Sequence, residues 1–535
     1  MNDKPESPEA DVQLSVFQIS LFEELESLAD GIDGGDLFIA RMRSLLRIAE
    51  GRQPEVPAGL QATLRPYQRE GFTWLARMFQ GGFGGILADD MGLGKTLQTI
   101  ALLLHAHELW ADPEACAQLP ASLRTPAPFL VVAPSSVVSN WEMEVRRFAP
   151  SLRVASVEGT LASPQQLAEL TANHDVVLTT YTLLRLNDEI YESQRYAGLI
   201  LDEAQFVKNR STKAHRTAVN LEAPFKLAVT GTPMENNLSE LGSLLLLSSP
   251  SLFANITRFN RLFARPIEAG DKETLELLQR RIKPFMLRRT KESVVLDLPP
   301  KQEQQVLVRL SEEHQHVYDT HLNRERQKIL HLVEDLDRNR FTIFQSLTHL
   351  RMLALEPALV DPELKEVPGS KLEALFDQLQ DVLDEGHRGL VFSQFTSYLK
   401  ILADKLTERG IKFVYLDGNT RNRAQVIEQF KEGEAPLFLI SLKAGGFGLN
   451  LTEADYCFLL DPWWNPAVEA QAIDRTHRIG QTRQVMVYRM IAQGTIEEKV
   501  VALQETKRDL INTVMDEADG FAKALTAQDI RGLLE

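Results

Sequence analysis

The pattern of apolar and polar residues changes twice along the chain. From residue 64 to about 247, short apolar runs alternate with segments of helical periodicity, and the same alternation returns after residue 368. Between about 250 and 365 the pattern is long, charged and helical. Alternation of short apolar strands with helices is typical of a parallel sheet covered by helices. We therefore predict the α/β fold class, with two parallel-sheet lobes and helical insertions between them.

The apolar runs that predict the strands are short and rich in β-branched and aromatic residues. They cover residues 129–133, 176–178, 199–201, 227–229, 389–392, 413–416, 437–440, 456–460 and 485–488. The predicted organisation has five segments: a helical adaptor or tail of a missing domain at 1–58, a first lobe at 59–249, helical insertions at 250–368, a second lobe at 369–515 and a helical tail at 516–535.

Composition narrows the class of protein. A chain of 535 residues is too long for one ordinary core, and 44% hydrophobic with 25% charged residues is typical of a soluble globular protein. We find no signal peptide and no run apolar enough to span a bilayer, so we expect a cytoplasmic protein without membrane contact. The only cysteines, Cys116 and Cys457, exclude a disulfide framework and provide no zinc cluster.

Charge limits how the protein can contact nucleic acid. The net charge is −16, from 58 Lys plus Arg against 74 Asp plus Glu. This balance argues against a protein whose whole surface coats nucleic acid. We expect any such contact to be confined to a local groove.

The run from Asp89 to Thr96 carries the most specific chemical signal. Its Gly-Lys-Thr ending follows a predicted strand at 84–88 and opens a predicted helix at 96–104, so backbone N–H groups converge on an anion at a helix N-terminus. Lys95 then reaches the β- and γ-phosphates and Thr96 the magnesium ion. Asp89 occupies the place of a glycine in the strict pattern, so the core from Met91 to Thr96 carries the prediction. The alternative is a chance glycine-rich turn.

An acidic pair closes the apolar run 199–201. Ligands bind at the carboxyl ends of strands in an open α/β sheet, which is where Asp202 and Glu203 are predicted to lie. Asp202 is suited to hold magnesium and Glu203 to accept the proton of the attacking water. Taken alone, an acidic pair of this kind is more often a helix-start signal than a functional site. A phosphate loop in the same predicted sheet favours the functional interpretation.

Two further segments are ambiguous when taken alone. Residues 230–233 (Thr-Gly-Thr-Pro) follow a predicted strand and read first as a turn. Arg475 and Arg478 are three residues apart, so we predict that they share one helical face. Two guanidinium groups aimed together suit a γ-phosphate in its transition state. The plainer alternative is a solvated or salt-bridged helix face.

Taken in order, these motifs resemble one family. The set comprises residues 64–68, 90–96, 133–141, 202–205, 230–233, 287–291, 441–446 and 471–478. It is similar to the Swi/Snf-type ATPases of helicase superfamily two over about residues 60–515, and the short insertions are similar to a bacterial member. The resemblance implies two RecA-like lobes that face each other across an ATP cleft, with ATP and Mg²⁺ as cofactors.

The resemblance also implies roles for individual residues. Gln68 reads the adenine, the segment Met91, Gly92, Leu93, Gly94, Lys95 and Thr96 holds the phosphates, and Thr96 and Asp202 hold the metal. The implied catalytic residues are Lys95, Glu203, Gln471, Arg475 and Arg478, with the two arginines reaching ATP from the second lobe. Coupling to the nucleic acid is implied for Gln205, Thr230 and Thr232, and Gln205 lies where many members have His.

A nucleic-acid groove is implied by segments that contact backbone phosphates in the family. Its candidate residues are Ser136, Thr180, Gln394, Arg421, Ser441 and Lys443. Each of these residues serves equally well as an ordinary cap, turn or surface residue. The pair Trp463 and Trp464 has two interpretations, stacking on a base or sugar and packing against the second lobe.

The resulting functional hypothesis is a DNA-stimulated ATPase that moves along double-stranded DNA as a monomeric motor and displaces or remodels proteins bound there. Hydroxyl, amide and lysine contacts to phosphate position a strand without reading its sequence, so binding is expected to be sequence-independent. A strand-separating DNA or RNA helicase is one alternative. A nucleotide-gated DNA-binding scaffold with little turnover is the other.

Overall fold

The computed structural model describes residues 54–234, 238–250, 252–253, 255–294, 301–330, 332, 336–445, 451–463, 466–478, 481–502 and 504, with the side chains of a few of these excepted. Nearly all of the predicted segment 1–58, and the whole of 516–535, lie outside the described residues. The chain divides into two compact units. The first contains residues up to 88, 96–233 and 238–288, and the second contains 89–95, 234–237 and the chain from 289 onward.

The first unit contains a seven-stranded sheet in which every pairing is parallel. The strand order is β3-β4-β2-β5-β6-β1-β7. The strands are β1 (Gly85–Leu87), β2 (Phe129–Ala133), β3 (Val154–Ser156), β4 (Val176–Thr180), β5 (Gly198–Asp202), β6 (Phe225–Val229) and β7 (Met286–Leu287).

One helix precedes β1, and the others occupy the connections between these strands. They are α1 (Pro66–Gly81), α2 (Lys95–Ala111), α3 (Pro113–Gln118), α4 (Ser135–Phe148), α5 (Pro164–Asn173), α6 (Tyr181–Leu186), α7 (Asp188–Glu192), α8 (Lys213–Asn220), α9 (Leu238–Ser248), α10 (Ile256–Phe259), α11 (Arg265–Glu268) and α12 (Lys272–Ile282).

The second unit contains a six-stranded sheet, also parallel throughout. Its strands are β8 (Lys301–Val308), β9 (Gly389–Ser393), β10 (Phe413–Leu416), β11 (Leu437–Ser441), β12 (Tyr456–Leu459) and β13 (Val485–Ala492), in the order β10-β11-β9-β12-β13-β8. Its helices are α13 (Lys291–Val294), α14 (Glu312–Leu330), α15 (Leu336–Leu355), α16 (Ser370–Asp384), α17 (Thr396–Glu408), α18 (Arg423–Glu432), α19 (Leu442–Gly445) and α20 (Pro466–Ile473), and a further helix begins at residue 496.

The central strands are apolar on both faces because helices cover both sides of each sheet. Along β11, Phe438 and Ile440 pack into one core cluster, while Leu437 and Leu439 pack into the cluster on the opposite face. Helices α18 and α20 contribute to the first of these clusters, and α16 and α17 to the second. The predicted α/β class with two parallel-sheet lobes is confirmed.

Two strands lie inside the stretch from 250 to 365 that we predicted as helical, and that part of the prediction is wrong. Strand β7 pairs with β1 in the first sheet, and β8 pairs with β13 along its whole length in the second. Strand β8 lies at the edge of its sheet, and most of its side chains are exposed. An exposed edge strand needs no apolar run, so hydrophobic periodicity gave no signal for it.

Within the described ranges, no helix is both long and apolar enough to cross a membrane.

The second unit buries several charged side chains. The ammonium group of Lys371 is fully buried and donates to the carbonyl oxygens of Leu460 (2.7 Å) and Met490 (2.9 Å) and to the carboxylate of Glu497. This single side chain therefore ties α16 to the ends of two neighbouring strands and to the helix after β13.

Replacing Lys371 with Met is expected to destabilise the second unit strongly, since it leaves the Glu497 carboxylate buried without its cation. Breaking one side of a buried pair costs about 3–5 kcal/mol. Chemical denaturation followed by circular dichroism measures the loss. The double variant Lys371→Met, Glu497→Leu removes both charges and should recover much of it. Equal losses in the single and double variants would contradict this account.

A buried acid at the end of α15 makes stability depend on pH. Burial raises the pKa of Glu356 from 4.5 to about 7, although the backbone N–H groups of Gly369 and Ala358 hydrogen-bond to its carboxylate. Because the folded-state pKa lies above the unfolded value, the folded state binds the proton more tightly. The stabilisation is complete below about pH 4.5 and is lost as the pH rises through 7.

The variant Glu356→Gln, which mimics the protonated acid, should therefore be more stable than the parent chain at alkaline pH. We expect an advantage of about 2–3 kcal/mol at pH 8.5 that shrinks below about 1 kcal/mol near pH 4.5. Urea denaturation of both proteins across this range tests the expectation. The same difference at every pH would show that Glu356 does not titrate between these limits.

Candidate nucleotide site

The phosphate loop connects β1 to α2, and its backbone needs glycine at two positions. Gly92 (φ 86°) and Gly94 (φ 76°) have left-handed backbone conformations, which side chains disfavour. A Cβ at Gly92 would also lie 2.9 Å from Cγ of Arg478, which belongs to the same unit as the loop. The glycines thus allow the loop to curve and Arg478 to approach its backbone.

Lys95 opens α2 and points its ammonium group back over its own loop. The Nζ atom donates to the carbonyl oxygens of Asp89 (2.6 Å) and Asp90 (3.1 Å). A lysine held in this way places a fixed positive charge beside the loop. That is the arrangement expected of a residue that contacts phosphate oxygens.

The two acids at the start of the loop have partners in a distant segment. Asp89 is fully buried and forms a two-pronged ion pair with Arg289, in which Nε donates to Oδ1 at 2.9 Å and Nη2 donates to Oδ2. Asp90 accepts a hydrogen bond from the backbone N–H of Lys291 at 3.0 Å. Asp89 therefore anchors the start of the loop, a role that explains an acid at the position where the strict motif has glycine.

The acidic pair lies at the carboxyl end of β5, as predicted. The Asp202 carboxylate accepts hydrogen bonds from Trp141 Nε1 (2.7 Å) and from the backbone N–H of Glu203 (3.0 Å), and it is only 8% exposed. The hydroxyl of Tyr181 donates to the Asp202 carbonyl oxygen at 2.7 Å. Burial and the neighbouring charges of Asp202 and Glu203 raise the pKa of Tyr181 well above its usual value, so it remains a neutral donor.

Glu203 has an unusual backbone conformation. Its φ is 51°, and it is the one residue other than glycine with a positive φ in the described part of the chain. Such conformations persist only where surrounding contacts stabilise them, and they cluster at functional sites. The side chain is 9% exposed, and its Oε2 accepts from Gln205 Nε2 at 2.9 Å.

The predicted coupling residues form one hydrogen-bonded chain with Glu203. The Thr230 hydroxyl donates to Gln205 Oε1 at 2.8 Å and accepts from the backbone N–H of Thr232 at 3.0 Å. Gln205 thus uses its donor toward Glu203 and its acceptor toward Thr230. The 230–233 segment is a turn, and its first hydroxyl also connects it to the acidic pair.

Gln68 lies near the start of α1, where its side-chain oxygen accepts from the backbone N–H of Arg65 at 3.0 Å. It is almost fully buried. This contact fixes the side chain at the helix terminus. The role in reading adenine stays a prediction.

The expectation that Arg475 and Arg478 share one helical face is wrong, because α20 ends at Ile473. Both arginines lie in the irregular turn that follows, where the N–H of Arg475 donates to Ala472 O at 3.2 Å and that of Arg478 to Thr476 O at 3.1 Å. Arg475 is buried, and so is Gln471 within α20. A turn aims two side chains differently from a helix, so spacing alone could not give their directions.

Lys291 contacts the same turn. Its Nζ donates to Asp474 Oδ1 at 2.5 Å and to the carbonyl oxygen of His477 at 2.6 Å, while its backbone N–H contacts Asp90. All of these residues belong to the second unit. The basic run 287–291 was noted in the sequence, but nothing in its local pattern pointed to these partners.

The six candidate phosphate-contacting residues are found in different settings. Thr180 Oγ1 accepts from Leu183 N at 3.1 Å and caps α6, and Ser441 Oγ accepts from Ala444 N at 3.2 Å at the start of α19. Arg421 is exposed. Gln394 follows β9 directly, and its Nε2 is buried with no hydrogen-bond partner in the described structure. The side chains of Ser136 and Lys443 lie outside what the structure describes.

The tryptophan pair is only partly described. Trp463 packs against the core cluster of the second sheet, and the Arg351 guanidinium lies 5.5 Å from its ring centroid. This contact matches the packing interpretation for Trp463. Trp464 lies outside the described residues. In the described part of the chain, no group of three or more His, Cys, Asp or Glu side chains is arranged to hold a metal ion.

Comparison with protein families gives two matches. The model of the SNF2-related domain matches residues 67–359, and that of the helicase conserved C-terminal domain matches residues 370–480. The first match alone covers more than half of the chain.

Individual proteins show the same similarity. A putative ATP-dependent helicase/translocase of Bacillus subtilis, YwqA, is 36% identical over 92% of this chain and 53% of its own length. An ATP-dependent helicase of Mycoplasma genitalium is 32% identical over 98% of this chain and 50% of its own length. The chain thus spans about half the length of these relatives.

Among solved structures, the SWI2/SNF2 ATPase core of Sulfolobus solfataricus in complex with double-stranded DNA is 33% identical. It aligns with 87% of this chain and 96% of its own, with a TM-score of 0.44.

Removing the Thr230 hydroxyl tests the link between the acidic pair and the 230–233 turn. Thr230→Val keeps the shape of the side chain but leaves Gln205 Oε1 without its donor, so Gln205 no longer holds Glu203 in one orientation. We expect the maximal rate of ATP hydrolysis to fall about tenfold, in keeping with the loss of one buried hydrogen bond. The KM for ATP should change little. Steady-state ATPase kinetics provide both values.

The matched control is Thr230→Ser, which retains the hydroxyl and should keep most of the rate. If valine and serine variants lose the same activity, the methyl group matters rather than the hydrogen bond.

Proposed function

Because the chain belongs to the family of proteins with an SNF2-related domain, we propose that it is an ATP-driven translocase on double-stranded DNA. It hydrolyses ATP to ADP and phosphate, contacts DNA through backbone phosphates without reading sequence, and displaces or remodels proteins bound there. The names of the bacterial relatives, a helicase/translocase and a helicase that depend on ATP, support this proposal.

Nucleotide binding is assigned to the loop from Met91 to Thr96. The two left-handed glycines leave its backbone N–H groups able to surround phosphate oxygens, and Lys95 adds a cation at the same place. Gln68 is assigned to the adenine. The donor chemistry fits Mg²⁺, since the Thr96 hydroxyl and the Asp202 carboxylate are hard oxygen ligands. When bound, the ion neutralises charge on the phosphates.

Hydrolysis is assigned to Glu203 as general base. Its carboxylate is nearly buried and is oriented by Gln205, so it can accept a proton from a water molecule held beside it. The Trp141 and Tyr181 hydrogen bonds hold Asp202 and the end of β5 in place. Positioning of this kind matters because phosphoryl transfer depends mainly on geometry and electrostatic stabilisation.

The cations assigned to the transferred phosphate are Arg475 and Arg478, with Gln471 beside them in the same motif. The close approach of Arg478 to Gly92 supports this assignment, since it places a guanidinium beside the loop that binds phosphate. Arginine suits the role because it is always charged and presents several donors at once.

DNA contact is assigned to Ser136, Thr180, Gln394, Arg421, Ser441 and Lys443. The capping bonds of Thr180 and Ser441 are compatible with this role, because in each case the hydroxyl oxygen accepts and its proton remains available to donate to a phosphate. Arg421 adds a solvent-facing charge. Such contacts fix a duplex without base recognition.

The observation that carries the proposal is the chain from Glu203 through Gln205 and Thr230 to Thr232. It connects the proposed base directly to the segment assigned to coupling. A protein that only bound nucleotide as a scaffold would gain nothing from an oriented base. This series of hydrogen bonds therefore favours a motor over a scaffold.

The test is the ATPase rate of the purified chain with Mg²⁺, measured without nucleic acid and then with duplex DNA, single-stranded DNA and RNA. We expect stimulation by duplex DNA that is abolished in Lys95→Ala and Glu203→Gln. The matched control Glu169→Gln changes an exposed glutamate of α5 in the same unit and should behave as the parent. Displacement of the third strand from a triplex reports movement along the duplex.

The other outcomes separate the alternatives. Stimulation by single strands or RNA alone, with unwinding of a labelled duplex, would identify a strand-separating helicase. A low rate that no polymer changes, and that Glu203→Gln does not lower, would identify a nucleotide-gated scaffold.

A further inference from the structure

Two turns in the second unit lie side by side at the carboxyl edge of its sheet. Residues 394–395 follow β9 and residues 461–463 follow β12, and these strands are neighbours. The buried carboxylate of Asp461 joins the turns, because both of its oxygens lie within hydrogen-bond reach of the backbone N–H of Gln394, at 3.3 and 3.2 Å. The position of Gln394 therefore depends on where the 461–463 turn is held.

Arg351 holds both turns from outside the sheet. It extends from α15, is 1% exposed, and donates through Nη2 to the carbonyl oxygen of Pro462. The same nitrogen lies 3.7 Å from Asp461 Oδ2. Its guanidinium lies over the rings of Phe395 and Trp463, at 5.6 and 5.5 Å from their centroids. One side chain thus contacts one aromatic residue from each turn and the carboxylate that joins them.

The opposite side of the 461–463 turn is also fixed. Trp463 N donates to Glu469 Oε1 at 2.6 Å, and Glu469 in turn pairs with Arg489. Gln504 Nε2 also donates to the carbonyl oxygen of Trp463, so this side of the turn is held by α20 and Gln504, and Arg351 restrains the other side. A guanidinium suits this place because it is planar and can stack on rings while it donates, which an ammonium group cannot do.

Among the described residues, none accepts a hydrogen bond from the side-chain amide of Gln394. Its Nε2 is buried and has no hydrogen-bond partner in the described structure. Buried polar atoms are nearly always paired, so such a donor points to a ligand. The side chain follows the end of β9 at the sheet edge where ligands bind in open α/β sheets. An amide donor at this edge suits the oxygen of a backbone phosphate.

We propose that Arg351 is a positioning residue for DNA binding, which holds Gln394 through Asp461 so that the Gln394 amide can donate to a backbone phosphate of the duplex. This inference rests on the proposed function. It gives the helical insertion a part in gripping DNA, because Arg351 belongs to α15 rather than to the sheet that carries Gln394.

The experiment uses the full chain and measures the duplex concentration that gives half-maximal ATPase stimulation, together with the rate at saturating duplex. The variants are Arg351→Lys, Gln394→Ala and the double variant. The matched control is Arg324→Lys, which makes the same change on the exposed surface of α14. Circular dichroism and thermal unfolding report whether each protein is folded.

We expect Arg351→Lys and Gln394→Ala each to raise the half-saturating duplex concentration about tenfold, as the loss of one phosphate contact implies. The rate at saturating duplex should fall less than threefold. The free-energy effects of two substitutions do not add when both residues act through the same contact. The half-saturating duplex concentration of the double variant should therefore be no higher than that of the single variant with the larger rise. Arg324→Lys should match the parent.

A hundredfold rise in the double variant would overturn the inference, because Arg351 and Gln394 would then act independently. An unchanged half-saturating concentration in Arg351→Lys would overturn it as well. If Arg351→Lys does not fold, Asp461→Asn replaces it in the same comparison, since this change removes the charge but keeps an acceptor for the Gln394 N–H.

The response of the parent chain to duplex DNA separates a failure of the proposed function from a failure of the role of Arg351. A parent that duplex DNA does not stimulate contradicts the proposed function, and the role of Arg351 with it. If duplex DNA stimulates the parent but the effects of Arg351→Lys and Gln394→Ala multiply, only the role of Arg351 is contradicted.

Discussion

Parallel strand pairing is the constraint on which both units depend. Strands that run the same way deliver all of their carboxyl ends to one edge of a sheet, and the polar segments that follow them meet there. In the first sheet these segments begin with the phosphate loop after β1, Thr180 in β4, Asp202 in β5 and Thr230 after β6. In the second sheet they include Gln394 after β9, Ser441 in β11 and Asp461 after β12. Apolar strands buried on both faces hold these ends in register.

At these edges, side chains rather than backbone provide the fine positioning. Gln205 joins Glu203 to Thr230 in the first unit, and Asp461 joins two turns in the second. Each connection uses a group whose donors or acceptors are satisfied on both sides, as buried polar groups require. Because the dielectric is low there, a misplaced partner costs more than it would at the surface. The low dielectric therefore makes these hydrogen bonds both costly to break and specific in their geometry.

Buried charge is concentrated in the second unit. Lys371 with Glu497, Arg351 with Asp461, and Arg489 with Glu469 all lie where the helices meet the sheet. Replacing such pairs by apolar residues often preserves or increases stability, so their presence suggests a requirement beyond stability. Lys371 pairs with the helix after β13, Arg351 pairs with the turn after β12, and Glu469 of α20 pairs with Arg489 within β13. The helical region between residues 310 and 384 is thereby attached to the sheet at defined points.

The sequence by itself determined the fold class and the family resemblance. The apolar run 129–133 matches its strand residue for residue, because burial on both faces leaves a short, β-branched apolar run. The Gly-Lys-Thr loop and the Asp202-Glu203 pair were also predictable, since each motif lies within a few residues of the strand that positions it. Strand β8 was missed, because an exposed edge strand has no such pattern.

Only the tertiary structure decided which distant residues meet. Asp89 pairs with Arg289 two hundred residues away, and Arg351 reaches the turn at 461–463. The turn after α20, rather than a helix, directs Arg475 and Arg478. Local periodicity records how a segment is buried, but not which other segment covers it. Those pairings depend on the order of strands in the sheet and on the path of the helices between them, which the chain fixes only when it is folded.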